Sequence, residues 1–130
     1  MKVAIVGRRQ FKDSVLLERT LKWLRIQELA TEIISGGAEG ADTLAAEWAR
    51  QHGVSLREIK PDYTKYAGNP KFAPIARNMD IVHEADLVIA FWDGVREKGT
   101  WNVIQLALEK SKQLVIIPFS PKVKNVSFRE

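Results

Sequence analysis

The sequence predicts a three-layer α/β fold, in which a mainly parallel sheet of five strands lies between two layers of helices. Two observations predict it. Five short apolar runs alternate with segments of helical periodicity along the 130 residues, as strand–helix–strand crossovers require. Several of the runs are unbroken blocks rich in β-branched residues, the pattern of strands buried on both faces. A Rossmann-like arrangement follows, with right-handed crossovers that place helices on both sides of the sheet. The length is that of one domain with one core, so residues 1–130 are read as a single unit.

Each element has its own signal. The first run, Val3–Val6, is too short and too soon followed by Gly7 for a secretory signal, and reads as a buried strand. Asp13 is placed to cap a helix that carries Leu17, Leu21 and Leu24 at helical spacing. The second strand, Glu32–Ser35, leads to a helix with Ala41, Leu44, Ala45, Trp48, Ala49 and His52 on one stripe. Its small alanines let it lie close to the sheet, and Gly53 suits its C-terminus. The third strand is Val54–Ile59. An irregular connection from Pro61 to Pro74 follows, and connections of this length are often functional. It is expected to end where a helix from about Ile75 to Glu84 begins, so that Arg77-Asn78 stands at a helix start. The fourth strand, Leu87–Phe91, a helix from about Trp101 to Lys110 and a fifth strand, Leu114–Ile117, complete the pattern. The chain is polar and basic from about Pro121. Trp23 and Trp48 read as core or interface packing.

Composition narrows the function classes. Apolar residues make up 45% and charged residues 28%, which fits a folded core and not a disordered chain. No apolar run approaches the ~18 residues of a membrane span, so no membrane partner is expected. Cysteine is absent, which removes disulfides and thiolate metal sites, and a cytoplasmic protein is the default. His52 and His83 are far apart with no second ligand one helical turn away, so no metal site is expected. The net charge of +4 suits an anionic ligand but is far from a dense nucleic-acid-binding patch.

Ligands of open parallel sheets bind beyond the C-terminal ends of strands. The segments there are Gly7-Arg8-Arg9, Ser35-Gly36-Gly37-Ala38-Glu39-Gly40-Ala41-Asp42, and Trp92-Asp93-Gly94-Val95-Arg96-Glu97-Lys98-Gly99-Thr100. Five of the eight glycines fall in the last two. Gly36, Gly37 and Gly40 permit close backbone approach and open a helix, whose free N–H groups favour phosphate. The bland alternative is an ordinary tight strand–helix turn. The spacing fits neither a nicotinamide fingerprint nor a Walker loop. Gly99-Thr100 repeats the design, with Lys98 adding charge and Thr100 a candidate helix cap. Arg77 can clamp phosphate through its planar fork, and Asn78 can bond a ribose or base. Tyr63 and Tyr66 are aromatic groups that could stack on a base, although tyrosines are commonplace in surface loops.

With these residues placed, the sequence resembles the YspA/YpsA-related branch of the SLOG superfamily. That superfamily also holds DNA-processing proteins of the Smf/DprA kind, molybdenum-cofactor carriers and the LOG hydrolases. The resemblance rests on Val3-Ala4-Ile5-Val6-Gly7-Arg8-Arg9 with Phe11, on Ile34-Ser35-Gly36-Gly37-Ala38 with Gly40-Ala41-Asp42, and on Pro61-Asp62 and Arg77-Asn78. It continues through Ala85-Asp86, Ala90-Phe91-Trp92-Asp93-Gly94 and Lys98-Gly99-Thr100. It implies a Rossmann-like fold, nucleotide-type ligands and a homo-oligomer. Two departures stand out: Arg8 replaces the usual serine of the first loop, and Glu39 stands where the second often carries a basic residue.

The leading expectation is therefore a domain that binds a nucleotide or an ADP-ribose-like ligand, with no cofactor of its own. Gly36, Gly37 and Gly40 would cradle the phosphate, Gly99 and Thr100 would close the other side, and Arg8 and Arg77 would be the clamps. Gly7, Ser35, Asp42, Asn78, Asp93, Gly94 and Lys98 complete the candidate set. The first and fourth strands are expected to be neighbours, with the crevice between Gly7 and Asp93. Arg77 is expected to contribute little to folding. Two rivals remain. One is a nucleotide N-glycosidic hydrolase of the LOG kind. Those enzymes carry Pro-Gly-Gly-x-Gly-Thr-x-x-Glu, and here Val103 replaces the glutamate. The other is single-stranded DNA binding, for which Lys60, Lys65, Lys71 and the two tyrosines sketch a groove.

Overall fold

The computed structural model describes residues 1–37, 40–96 and 98–120, with the backbone alone for Lys98. Five strands, β1 (Lys2–Gly7), β2 (Glu32–Ser35), β3 (Ser55–Glu58), β4 (Leu87–Trp92) and β5 (Gln113–Pro118), form one sheet in the order β3-β2-β1-β4-β5. Every pairing is parallel, and Gly7 lies opposite Phe91 on β4. The expected neighbours, β1 and β4, are therefore paired, and the strand order reverses between them.

Burial on both faces follows from the alternation of side chains along each strand. Val3 and Ile5 of β1 join a core with Ile33, Ile89 and Phe91, under helices α1 (Ser14–Trp23) and α3 (Ala41–Gln51). Phe11 completes it, its ring stacked on Phe91 at a centroid distance of 4.4 Å. Ala4 and Val6 point the other way, into a second core with Ile34, Val88 and Ala90 under α4 (Phe72–Glu84) and α5 (Lys98–Glu109). Three layers result. The caps also follow the sequence. Asp13 accepts a hydrogen bond from the Leu16 N–H at 2.9 Å, and Gly53 takes the left-handed conformation beyond α3. Trp48 is buried, with the His52 ring stacked on it and hydrogen-bonded to its carbonyl.

Two expectations are corrected. Helix α4 begins at Phe72, not Ile75, so Arg77 and Asn78 lie in mid-helix. Pro74 occupies the first turn, where a backbone N–H has no intrahelical partner to lose. A short helix, α2 (Ile26–Leu29), fills the gap before β2, entered through Arg25 at a φ of 58°. Of the two readings of Trp23, core or interface packing, its 77% exposure removes only the first. Among the described residues, no helix is long and apolar enough to cross a membrane.

At the opposite edge of the sheet from the glycine-rich loops, Lys2, Glu32, Arg57 and Glu84 form a charge network. Arg57 donates to Glu32 at 2.9 Å and lies 3.5 Å from Glu84, which also pairs with Lys2 at 3.4 Å. The hydrogen bond from Lys2, and then the charge of Arg57, hold the Glu84 carboxyl below its ordinary range. A depressed folded-state value means that this contribution to stability is present above the unfolded carboxylate range and is lost as pH falls through the folded one. The groups are solvated, so the contribution is small and salt-screened. Melting curves between about pH 6 and pH 3 should fall less steeply for Glu84→Gln than for the wild type, because the variant has no carboxylate to protonate. High salt should narrow the difference, and identical pH profiles would mean that the network contributes nothing.

Candidate functional site

The segments after β1, β2 and β3, the N-terminal half of α4 and the start of α5 surround a cleft of about 720 Å³ at the C-terminal edge of the sheet. Val6, Ile81 and Val103 form an apolar floor. Gly36, Gly37, Asp42, Arg77 and Asn78 line one side, Gly99 and Thr100 the other, and Arg8, Arg9, Gln10, Lys60, Pro61, Tyr63 and Pro74 the remainder. Among the described residues, four basic side chains thus line the cleft with one carboxylate, Asp42. An anion entering here meets a net positive field on a partly apolar bed.

Close approach explains the glycines. A Cβ on Gly36 would stand 2.6 Å from the Arg77 guanidinium, and one on Gly7 would stand 2.6 Å from the Ala41 Cβ. Gly40 is tighter still. It has a φ of 77°, and a Cβ there would lie 2.4 Å from the Arg8 carbonyl oxygen and 2.8 Å from that of Arg9. The first two loops are in this way seated backbone against backbone. Ser35 is buried beneath the second loop, where its hydroxyl accepts from the Gly37 N–H at 3.4 Å.

Arg77 is the most constrained of the cleft cations. It donates to the Gly36 carbonyl at 3.0 Å, and its Nε donates to the Asn78 side-chain oxygen at 2.9 Å. Asn78 is buried and passes the chain on, its amide donating to Asn102 at 3.0 Å. Burial pulls the Arg77 pKa down, while Asp42 and Tyr63 pull it up. An arginine remains charged under such opposition. The expectation that Arg77 contributes little to folding is thereby corrected: it ties α4 to the end of β2.

Arg8 is also engaged, through a 3.0 Å ion pair with the nearly buried Asp93 carboxylate. This pair spans the ends of β1 and β4. The cleft expected between Gly7 and Asp93 is instead bounded by Gly7, by Gly36-Gly37 after β2 and by Gly99-Thr100 of α5. Asp93 and Gly94 stand outside it, with Asp93 also accepting from the Val95 N–H at 3.1 Å. The Thr100 side chain is buried, and among the described residues its hydroxyl has no hydrogen-bond partner. It follows Gly99, whose φ of 47° and ψ of −115° break the helix at its start. Lys98 begins α5, but its side chain lies outside the described residues, as do Ala38 and Glu39 of the second loop. Trp92 and Trp101 stack at 5.1 Å beside the cleft, and Trp92 donates to the Val95 carbonyl, bracing the fourth-strand loop.

The sequence-predicted residues Gly7, Arg8, Gly36, Gly37, Asp42, Arg77, Asn78, Gly99 and Thr100 therefore share one cleft, while Ser35, Gly40, Asp93 and Gly94 support its loops. Arg9, Gln10 and Lys60 also line it. Arg9 and Gln10 were legible as the continuation of the first loop, and Lys60 as the residue just past the third strand. Tyr66 turns away, edge-on to Phe72 at 5.1 Å.

The profile of the YspA, cpYpsA-related SLOG family matches residues 1–66. No curated protein matches the chain. Among solved structures, the DNA processing protein A (DprA) of Streptococcus pneumoniae superposes with a TM-score of 0.74 over 92% of this chain, at 24% identity. The chain spans 50% of the length of that protein. The structural-genomics target TM1055 superposes with a TM-score of 0.63 at 23% identity, covering 87% of this chain and 71% of the target.

Proposed function

Since the chain belongs to the YspA, cpYpsA-related SLOG family, we propose that its cleft binds a nucleotide or nucleotide-derived ligand, such as an ADP-ribose-like metabolite, in a sensing and not a catalytic role. The observation that carries this reading is the convergence of Gly36-Gly37, the N-terminal turn of α3 and the Gly99-Thr100 break of α5 on one cleft with four basic side chains. Backbone N–H groups at two helix starts, together with the Thr100 hydroxyl, form an anion cradle. The apolar floor gives the rest of the ligand a surface to cover. Arg77, already bonded to Gly36, is positioned to add a charge-assisted contact to phosphate. The small-molecule ligand is the principal partner, and self-association is part of the same proposal.

The reading against catalysis rests on Val103. It is buried in the cleft floor at the position where the LOG-type motif that it resembles carries its glutamate, and a valine cannot stabilise a cationic sugar. Asp42 is the carboxylate that does line the cleft, and it faces Arg77. Calorimetric titration of AMP and ADP-ribose into the protein at physiological salt should give saturable binding of at least one of them, with no release of free base. Failure of both to bind at millimolar concentration would end this reading. Release of adenine from AMP would convert the protein into a hydrolase. Tight, salt-resistant binding of a short single strand in place of either ligand would transfer the site to nucleic acid.

A further inference from the structure

Tyr63 has no evident part in holding the fold. It is 56% exposed, yet it lines the cleft. Among the described residues it has neither a ring partner nor a hydrogen bond, whereas its neighbour Tyr66 is packed against Phe72 and capped by Lys65. The backbone that presents it is nonetheless fixed. The Asp62 carboxylate accepts from the N–H groups of Thr64 and Lys65, at 3.1 and 2.9 Å, which clamps the turn around Tyr63. Tyr63 also lies within electrostatic reach of Arg77, so it stands over the cationic side of the cleft.

An exposed tyrosine ring on the lining of a cleft offers a flat apolar face that a planar ligand group can cover. Resting on the nucleotide reading of the cleft, we infer that Tyr63 is the base-stacking platform of the site, so that the ligand is a nucleotide whose planar base lies against the tyrosine ring while its phosphate lies near Gly36-Gly37 and Arg77. The tyrosine face and the Gly36–Arg77 side of the cleft then take the two chemically different parts of one molecule. Stacking is tolerant of base identity, because every base has a π-face, but it requires a base.

The test separates the two halves. AMP and ribose 5-phosphate are titrated calorimetrically into the wild type, Tyr63→Phe and Tyr63→Ala. Stacking of a base on an aromatic side chain predicts a loss of about tenfold or more in AMP affinity for Tyr63→Ala. Tyr63→Phe, which keeps the ring, should bind AMP nearly as the wild type does. Ribose 5-phosphate should bind all three proteins alike, because it has no base to stack. Unchanged AMP affinity in Tyr63→Ala would overturn the inference and leave the nucleotide reading intact. An equal loss for AMP and ribose 5-phosphate, or Tyr63→Phe as weak as Tyr63→Ala, would also overturn it, since Tyr63 would then act by positioning Arg77. If neither compound binds the wild type, both the inference and the reading beneath it fail.

Discussion

Gly40→Ala is expected to destabilise the protein by about 2–5 kcal/mol, the sum of a strained backbone and an overpacked contact. The φ of 77° with a ψ of −122° is a conformation that essentially only glycine adopts. The added Cβ would meet the carbonyl oxygens of Arg8 and Arg9 at 2.4 and 2.8 Å, and backbone cannot step aside as a flexible side chain can. Against a total stability of ~5–15 kcal/mol this is a large fraction, and the melting midpoint should fall by roughly 10 °C or more. Displacing the second loop also moves Gly36 and Gly37, so nucleotide affinity should fall with stability. Gly68→Ala is the control. Its φ is not in the left-handed range and nothing lies within 4 Å, so it should be neutral or slightly stabilising. Equal melting midpoints for the two variants would refute the account of Gly40.

Arg77→Ala should lose on two independent readouts. Without ligand, it removes the bonds to Gly36 and Asn78 and a neighbouring positive charge from Asp42. Hydrogen bonds from a charged donor contribute about 1.5–3 kcal/mol, so the midpoint should drop by roughly 5–10 °C. With ligand, loss of a charge-assisted phosphate contact should weaken AMP binding by about tenfold or more. Arg77→Lys keeps the charge opposite Asp42 but cannot reach both Gly36 and Asn78 as a fork, so it should recover part of each loss. A stability loss with unchanged AMP affinity would confine Arg77 to tying α4 to β2. Unchanged values on both readouts would contradict the geometry itself.

The strands were legible because β-branched blocks such as Val3–Val6 and Leu87–Phe91 have few alternatives to two-sided burial. The first helix was legible through Asp13, whose capping bond is local. What escaped was set by context. Pro74 reads as a boundary in sequence, but in a first turn it loses no hydrogen bond, so Arg77 moved from a helix start to its middle. Trp23 follows Leu21 by two positions, a rotation of roughly 200° around the helix, which turns it away from the buried stripe. Helix α2 has four residues and no glycine to announce it. In the cleft, the glycines and Arg8 could be found from loop position alone, whereas Arg77 was found only through its fork chemistry and the Arg77-Asn78 pair. That Arg8 would be drawn to Asp93, which does not line the cleft, depended on a contact between residues 85 apart in sequence.

The seating of Gly40 on the carbonyls of Arg8 and Arg9, and of Gly7 on Ala41, has a consequence for how such a domain can change over time. Two loops joined through their backbones cannot be lengthened or shortened one at a time. An insertion in either would have to be answered in the other, or the floor beneath both would be lost. Substitution is free where insertion is not. Arg9 and Gln10 project from a fixed frame, and a new side chain there alters what the cleft accepts without disturbing what holds it open. A lineage built on this frame would be expected to diversify in ligand by exchanging such side chains at constant loop length.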